Sequence, residues 1–206
     1  MRRVFIAFAT GVLLLSGCTV SVGDKPDAKS STSPSSVSSP TTDSGDSGVD
    51  PADAAPAGIT ISGTGFSFSA PKGWEDIKDQ MGAQFAAAAR ETGQSDGFAD
   101  NVNVIRSGSS GITMEQLKES VPGQLQGAGG KNIQIHDDVT IDGQTAAHAT
   151  AEIPVNNGSG IVAHTTQYYV ITDDAEYVIT ITSQGGFDDA KTKANVARIV
   201  SSWQWQ

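Results

Sequence analysis

The chain has 206 residues, of which 37 % are hydrophobic, 17 % charged and 6 % aromatic, which excludes a wholly disordered polymer and a multispan membrane protein. Its formal charge of −10 repels phosphate backbones and anionic headgroups, so nucleic acid is excluded as a partner and charge-driven membrane binding is disfavoured. The single cysteine leaves no disulfide framework to build.

Arg2 and Arg3 precede an apolar run from Val4 to Leu15, which ends in Leu15-Ser16-Gly17-Cys18. A run of 12 residues is too short for an ordinary membrane span, and a basic start, an apolar middle and small residues before a cut make a secretory signal. Residues 15–18 resemble a bacterial lipobox. The resemblance implies that residues 1–17 are a lipoprotein signal peptide and that Cys18 is acylated and becomes the first mature residue. Loss of Arg2 and Arg3 leaves 11 basic against 23 acidic residues, or −12 for the mature chain. Each buried methylene contributes about 0.8 kcal/mol, so several acyl chains hold far better than one. The expected partner is thus the membrane itself, through a lipid anchor at Cys18 on the extracytoplasmic face.

Residues 18–58 carry almost no large apolar side chain and consist mainly of Ser, Thr, Pro, Asp, Gly and Ala. Such a segment buries too little surface to offset its conformational entropy, so a flexible stalk is expected, with an r.m.s. span of roughly 35 Å for about 40 residues. Residues 59–206 have the length of one globular domain. There, Phe66, Phe68 and Ala70-Pro71 read as a strand, and Gly73-Trp74 as a turn with an apolar anchor. From Asp76, the spacing of Ile77, Met81, Phe85 and Ala88 or Ala89 predicts a helix ended by Gly93. Asn101–Ile105 predicts a strand. Thr113 with Gln116 fits a capping box for a helix faced by Met114, Leu117 and Val121, which Pro122-Gly123 interrupts.

From Asn132 to Ser183 the pattern is a β-meander. Asp142-Gly143 and Asn157-Gly158 are hairpin signals, since a type I′ turn needs positive φ at both central residues. A turn at Asn157-Gly158 sets Ala151 opposite His164 and Ala149 opposite Thr166. One face then carries Ala147, Ala149, Ala151, Ile153, Val162, Tyr168 and Val170. A hairpin at Asp174-Ala175 sets Val170 opposite Ile179 and Tyr168 opposite Ile181 on that face. The Asp142-Gly143 register puts Ile133 and Ile135 on the other side, which calls for a bulge near Asp137-Asp138 or for cover on both faces; the second is favoured. A last helix starts near Asp188 and runs through Ala190, Ala194, Ala197, Val200 and Trp203, its small residues matched to the alanine row for close packing.

Residues 66–74 (Phe-Ser-Phe-Ser-Ala-Pro-Lys-Gly-Trp), Asp100–Val104, Tyr168–Val170 and the final helix together resemble the LpqN/LpqT-type lipoproteins of actinobacteria. The resemblance implies an α+β fold, a single Mog1/PsbP-like α/β/α sandwich with an antiparallel sheet flanked by helices. It also implies an envelope location, and it supplies no catalytic residues to carry over.

No reaction is written in the chain. His136, His148 and His164 fall in predicted strands, with His164 on the apolar side and His148 on the other, so no shared metal site is expected. Asp137-Asp138, Asp173-Asp174 and Asp188-Asp189 read as strand, turn and helix-start residues rather than paired acids. Asp43, Asp46 and Asp50 lack EF-hand spacing, and no nucleophile elbow, P-loop or dinucleotide fingerprint occurs. Neither a cofactor nor a metal is expected. The weak candidates for ligand or partner contact are aromatic: Trp74, Tyr169, Trp203 and Trp205, with packing as their plainer role. The leading expectation is a non-catalytic accessory module for an envelope protein partner or for transport or assembly machinery. A carrier or sensor of a hydrophobic envelope molecule is second, and an envelope hydrolase third.

Overall fold

The computed structural model describes residues 50–94, 97–155 and 160–206. The signal peptide, Cys18 and the Asn157-Gly158 turn lie outside the described residues. So does most of the stalk; the part that is described, residues 50–58, is docked. Pro51–Asp53 form a 3₁₀ turn, and Ala55 donates its amide to Ala194 at 2.9 Å.

Two antiparallel sheets and two helices make the domain. The small sheet joins β1 (Ala57–Gly63), β2 (Phe66–Pro71) and β11 (Gln204–Trp205) in the order β1-β2-β11. The large sheet contains β3 (Trp74–Asp76), β4 (Phe85–Glu91), β5 (Asn101–Gly108), β6 (Lys131–Ile135), β7 (Val139–Ile141), β8 (Gln144–Pro154), β9 (Val162–Ile171) and β10 (Ala175–Ser183). Its order is β3-β4-β5-β10-β9-β8-β6, with β7 also on β8. Helix α1 (Met114–Gly127) covers one face, with Leu117, Val121 and Leu125 buried over Ala147, Ala149, Ala151 and Tyr169. The small sheet and α2 (Ala190–Ser201) cover the other, where Phe66, Phe68, Ile199 and Trp203 meet Val102, Val104, Tyr168, Ile179 and Ile181. The sheet is therefore covered by a helix on each side, as an antiparallel α+β sandwich requires.

The helix expected from Asp76 is absent. Asp76 does accept the Lys78 amide at 2.8 Å, but this start signal yields only a 3₁₀ turn at Lys78–Gln80, and Phe85–Glu91 is strand β4. The alanines are fully enclosed: Ala87, Ala88 and Ala89 are at most 1 % exposed, on a strand paired to both β3 and β5. Tertiary pairing overrides alanine's helix propensity. The capping box holds, with Gln116 N–H to Thr113 Oγ1 at 3.3 Å and Thr113 N–H to Gln116 Oε1 at 3.0 Å. Pro122 does not interrupt α1. It lies on the solvent side, so the carbonyl it leaves unbonded faces water while Leu125, one turn on, stays buried.

Asp142 and Gly143 have φ of 45° and 80°, the conformation the turn signal called for. The other registers differ from expectation. Strands β8 and β9 pair Ala149 with Gln167 and Ala151 with Thr165, one residue away from the expected match. Val155 N–H bonds Ile161 C=O at 2.9 Å, so five residues rather than two close this connection. The alanine row therefore faces α1 and not α2, while Tyr168 and Val170 face the opposite way. Strands β9 and β10 pair Tyr168 with Ile179, two residues from expectation, because the turn centres on Asp173-Asp174. A slip of two preserves the faces, and Tyr168, Val170, Ile179 and Ile181 do share one core. Between β7 and β6 the register on β8 also shifts by one, from Ile141 opposite Gln144 to Gln134 opposite Thr150. Both proposed resolutions are thus present: a bulge around Asp137-Asp138, and cover on both faces.

Candidate functional site

These two one-residue shifts have a chemical result. The bulge carries His136 beside His148, whose carbonyl accepts the His136 amide at 2.9 Å, and the β8–β9 register sets Tyr168 opposite His148. The three rings stack from the residue just after β6 across β8 to β9, with centroids 4.5 Å apart for His136–His148 and 4.8 Å for His148–Tyr168. The expectation that His148 and His164 occupy opposite faces is corrected: His164 lies on the rung of Glu152, on the same face as His148. It packs edge-on against Phe187 at 5.0 Å, away from the stack. Shared facing does not create a metal centre, because among the described residues no three His, Cys, Asp or Glu side chains are placed to hold one.

The stack floors an open groove of about 640 Å³ between the large sheet and α2. Gln134, Thr150 and Thr166 complete the floor, and Thr192, Lys193, Val196 and Ala197 of α2 form a wall. Asp50, Asp53, Phe187 and Asp188 rim the mouth. Helix α2 is held in place by Asp189, which accepts the Thr192 amide at 2.9 Å, and by Lys191, which reaches Glu91 at 2.7 Å and Asp100 at 3.4 Å. Asp100 also accepts the Gln184 amide at 2.9 Å, and its burial raises its pKa. Asp100 thereby helps to lock the wall to the sheet.

Within the floor, His136 Nε2 and Thr150 Oγ1 are 2.9 Å apart. Tyr168 is only 2 % exposed, lines the groove, and has no hydrogen-bond partner for its hydroxyl among the described residues. Burial, and then the neighbouring His136, lower the His148 pKa from 6.5 to about 4. His148 is therefore neutral near pH 7 and offers one donor and one acceptor nitrogen. The unfolded chain binds this proton below about pH 6.5 and the folded chain only below about 4, so stability is present above 6.5 and is lost as pH falls from 6.5 to 4. Because His148 is partly solvated, the loss is expected to be about 1–2 kcal/mol after discounting for solvent screening. Urea unfolding at pH 7 and pH 4.5 is expected to show this loss, and His148→Phe to remove that share of it; an equal pH dependence in the variant would contradict the assignment.

The four aromatic candidates lie elsewhere. Trp203 stacks on Phe66 at 4.7 Å and Phe68 at 5.1 Å, and Trp74 is buried in the same core. Tyr169 is buried under α1 and donates its hydroxyl to Gln167. Trp205 donates Nε1–H to Ile141 C=O at 2.8 Å. None of the four lines the groove. The acidic doublets separate as the sequence suggested: Asp138 pairs with Lys118 at 2.7 Å, Asp174 with Arg106 at 2.8 Å, and Asp188 with Lys193 at 3.0 Å. Sequence reasoning missed the groove because the ring stack depends on two one-residue shifts: the one near Asp137-Asp138 was open as an alternative, and the one between β8 and β9 has no local signal.

No family model matches the chain, and no curated protein matches it. Among solved structures it is similar to LpqN of Mycobacterium tuberculosis, described as involved in cell envelope biogenesis, with 17 % identity, a TM-score of 0.49, and coverage of 72 % of this chain and 84 % of that one. It is similar to the cyanobacterial PsbP of Synechocystis sp. PCC 6803, with 17 % identity, a TM-score of 0.48, and coverage of 72 % and 95 %. The Saccharomyces cerevisiae Ran-binding protein Mog1p has 9 % identity, a TM-score of 0.48, and coverage of 73 % and 96 %. The likeness is one of fold. A Bacteroides thetaiotaomicron structure also matches at 13 % identity and a TM-score of 0.48 over 71 % of this chain, which spans about half, 48 %, of that one. No residue role passes from these proteins to the groove.

Proposed function

We propose that the chain is an envelope lipoprotein of the LpqN/LpqT type, held on the extracytoplasmic face of the membrane by acylated Cys18, with residues 18–49 as tether. Its domain is a non-catalytic binding module that serves an envelope protein partner or a transport or assembly machine, and the groove beside α2 is its binding surface. The observation that carries this reading is Tyr168, whose ring is buried while its hydroxyl, bonded to no protein group among the described residues, lines a 640 Å³ groove. A polar tip set on a buried, fixed ring is a ready hydrogen-bond partner for a bound group. Binding is favoured over hydrolysis because the one imidazole–hydroxyl contact in the groove, His136–Thr150, has no carboxylate behind the imidazole among the described residues. The carrier reading has the volume it needs, but the floor presents imidazoles, hydroxyls and an amide where an apolar lining was expected. No helix among the described residues is long and apolar enough to cross a membrane.

A photo-crosslinking residue at Val196, on the wall, is expected to give a reproducible adduct in intact envelopes, and the groove-filling Ala197→Trp is expected to abolish it. The same probe at exposed Lys72 serves as the control. Identical adducts from both positions, or an adduct that survives Ala197→Trp, would overturn the groove as the binding surface.

A further inference from the structure

The ligand's charge class follows from what surrounds Tyr168, given that the groove is the binding surface. The rim holds Asp50, Asp53 and Asp188 against one ammonium, Lys193, which is already paired with Asp188 at 3.0 Å. Asp50 uses one carboxylate oxygen to accept the Ala52 amide at 2.8 Å, and the Asp53 side chain has no ion-pair partner among the described residues. Beneath them, the buried residues Tyr168 and Thr166 line the groove, and their hydroxyls bond nothing among the described residues. His148, uncharged near neutrality, adds an imidazole lone pair. An anionic ligand would meet carboxylates and, among the described residues that line the groove, no unpaired cation. A neutral ligand would leave the rim charge without a role.

We infer that the groove binds an organic cation, a primary ammonium or guanidinium group, whose N–H donors reach the Tyr168 and Thr166 hydroxyl oxygens and whose charge is balanced by Asp50 and Asp53. Such a group donates several hydrogen bonds and accepts none, which matches a floor of open acceptors. The same chemistry comes from a lysine or arginine side chain of a partner or from a free amine.

The full chain in detergent, titrated with n-pentylammonium, 1-pentanol and pentanoate, separates these cases, with the His148 and Tyr168 NMR resonances as reporters. The ammonium is expected to give a saturable shift at both residues, with the alcohol and the carboxylate binding at least about tenfold more weakly. Asp50→Asn with Asp53→Asn is expected to weaken the ammonium about fivefold, and added salt to weaken it further. Tyr168→Phe is expected to weaken it about threefold without lowering the unfolding midpoint, because that hydroxyl bonds nothing in the fold. A second arm uses N-acetyl-Gly-Lys-Gly amide. Tighter binding of the peptide assigns a partner side chain, tighter binding of the amine a free amine, and either supports the inference. No saturable shift with either cation, or equal binding of the alcohol, would overturn it. That failure would leave the Val196 adduct intact, so it is distinguishable from failure of the groove itself.

Discussion

Trp203→Ala is expected to lower stability by about 3–5 kcal/mol, the range for removing a large buried aromatic, and to lower Tm by roughly 10 °C. The indole is 3 % exposed and lies nearly parallel to both Phe66 and Phe68, with interplanar angles of 11° and 1°. It follows directly on α2 and precedes β11, so it joins that helix, the small sheet and the large sheet at one point. Its Nε1–H is buried without a partner. Trp203→Phe should therefore keep the stacking, relieve the unsatisfied donor and lose less than about 1.5 kcal/mol. Thermal and urea unfolding of the two variants check the ordering; equal losses would mean that the stack contributes little.

Cys18→Ser is expected to leave the chain uncut between residues 17 and 18, to remove the acylated N-terminal peptide from mass spectra, and to reduce detergent-phase partitioning more than tenfold. With residues 1–17 removed, as proposed, the chain would carry −12 and gain nothing from an anionic bilayer, so acyl burial alone would hold it there. Unchanged cleavage, peptide mass and partitioning in the variant would refute the anchor.

What the sequence made legible was local chemistry. The Thr113–Gln116 box, the Asp142-Gly143 turn and the Asp189 cap each depend on atoms a few residues apart, and each stands where the residues indicated. Strand β4 was hidden because its alanines are demanded by close layers and by pairing with β5, both non-local, while their spacing imitates a helix. Register was hidden for a different reason. With α1 on one face and α2 with the small sheet on the other, either parity of β8 and β9 buries apolar side chains, so hydrophobic alternation loses its power to choose. The site inherits that ambiguity. His136, His148 and Tyr168 were visible as residues, but their stacking is a product of register; of the aromatic candidates, Trp74, Tyr169 and Trp203 are buried in the cores and Trp205 is partly buried against one of them.

The docked run ahead of β1 has a mechanical meaning. Ala55 bonds Ala194 through its amide and accepts Arg198 Nε–H through its carbonyl, both partners being on α2. A load on the polypeptide upstream of Asp50 therefore reaches α2, the groove's wall, as well as β1. Under the proposed tethering, tension on the chain would act as a shear along that helix and alter the width of the cleft.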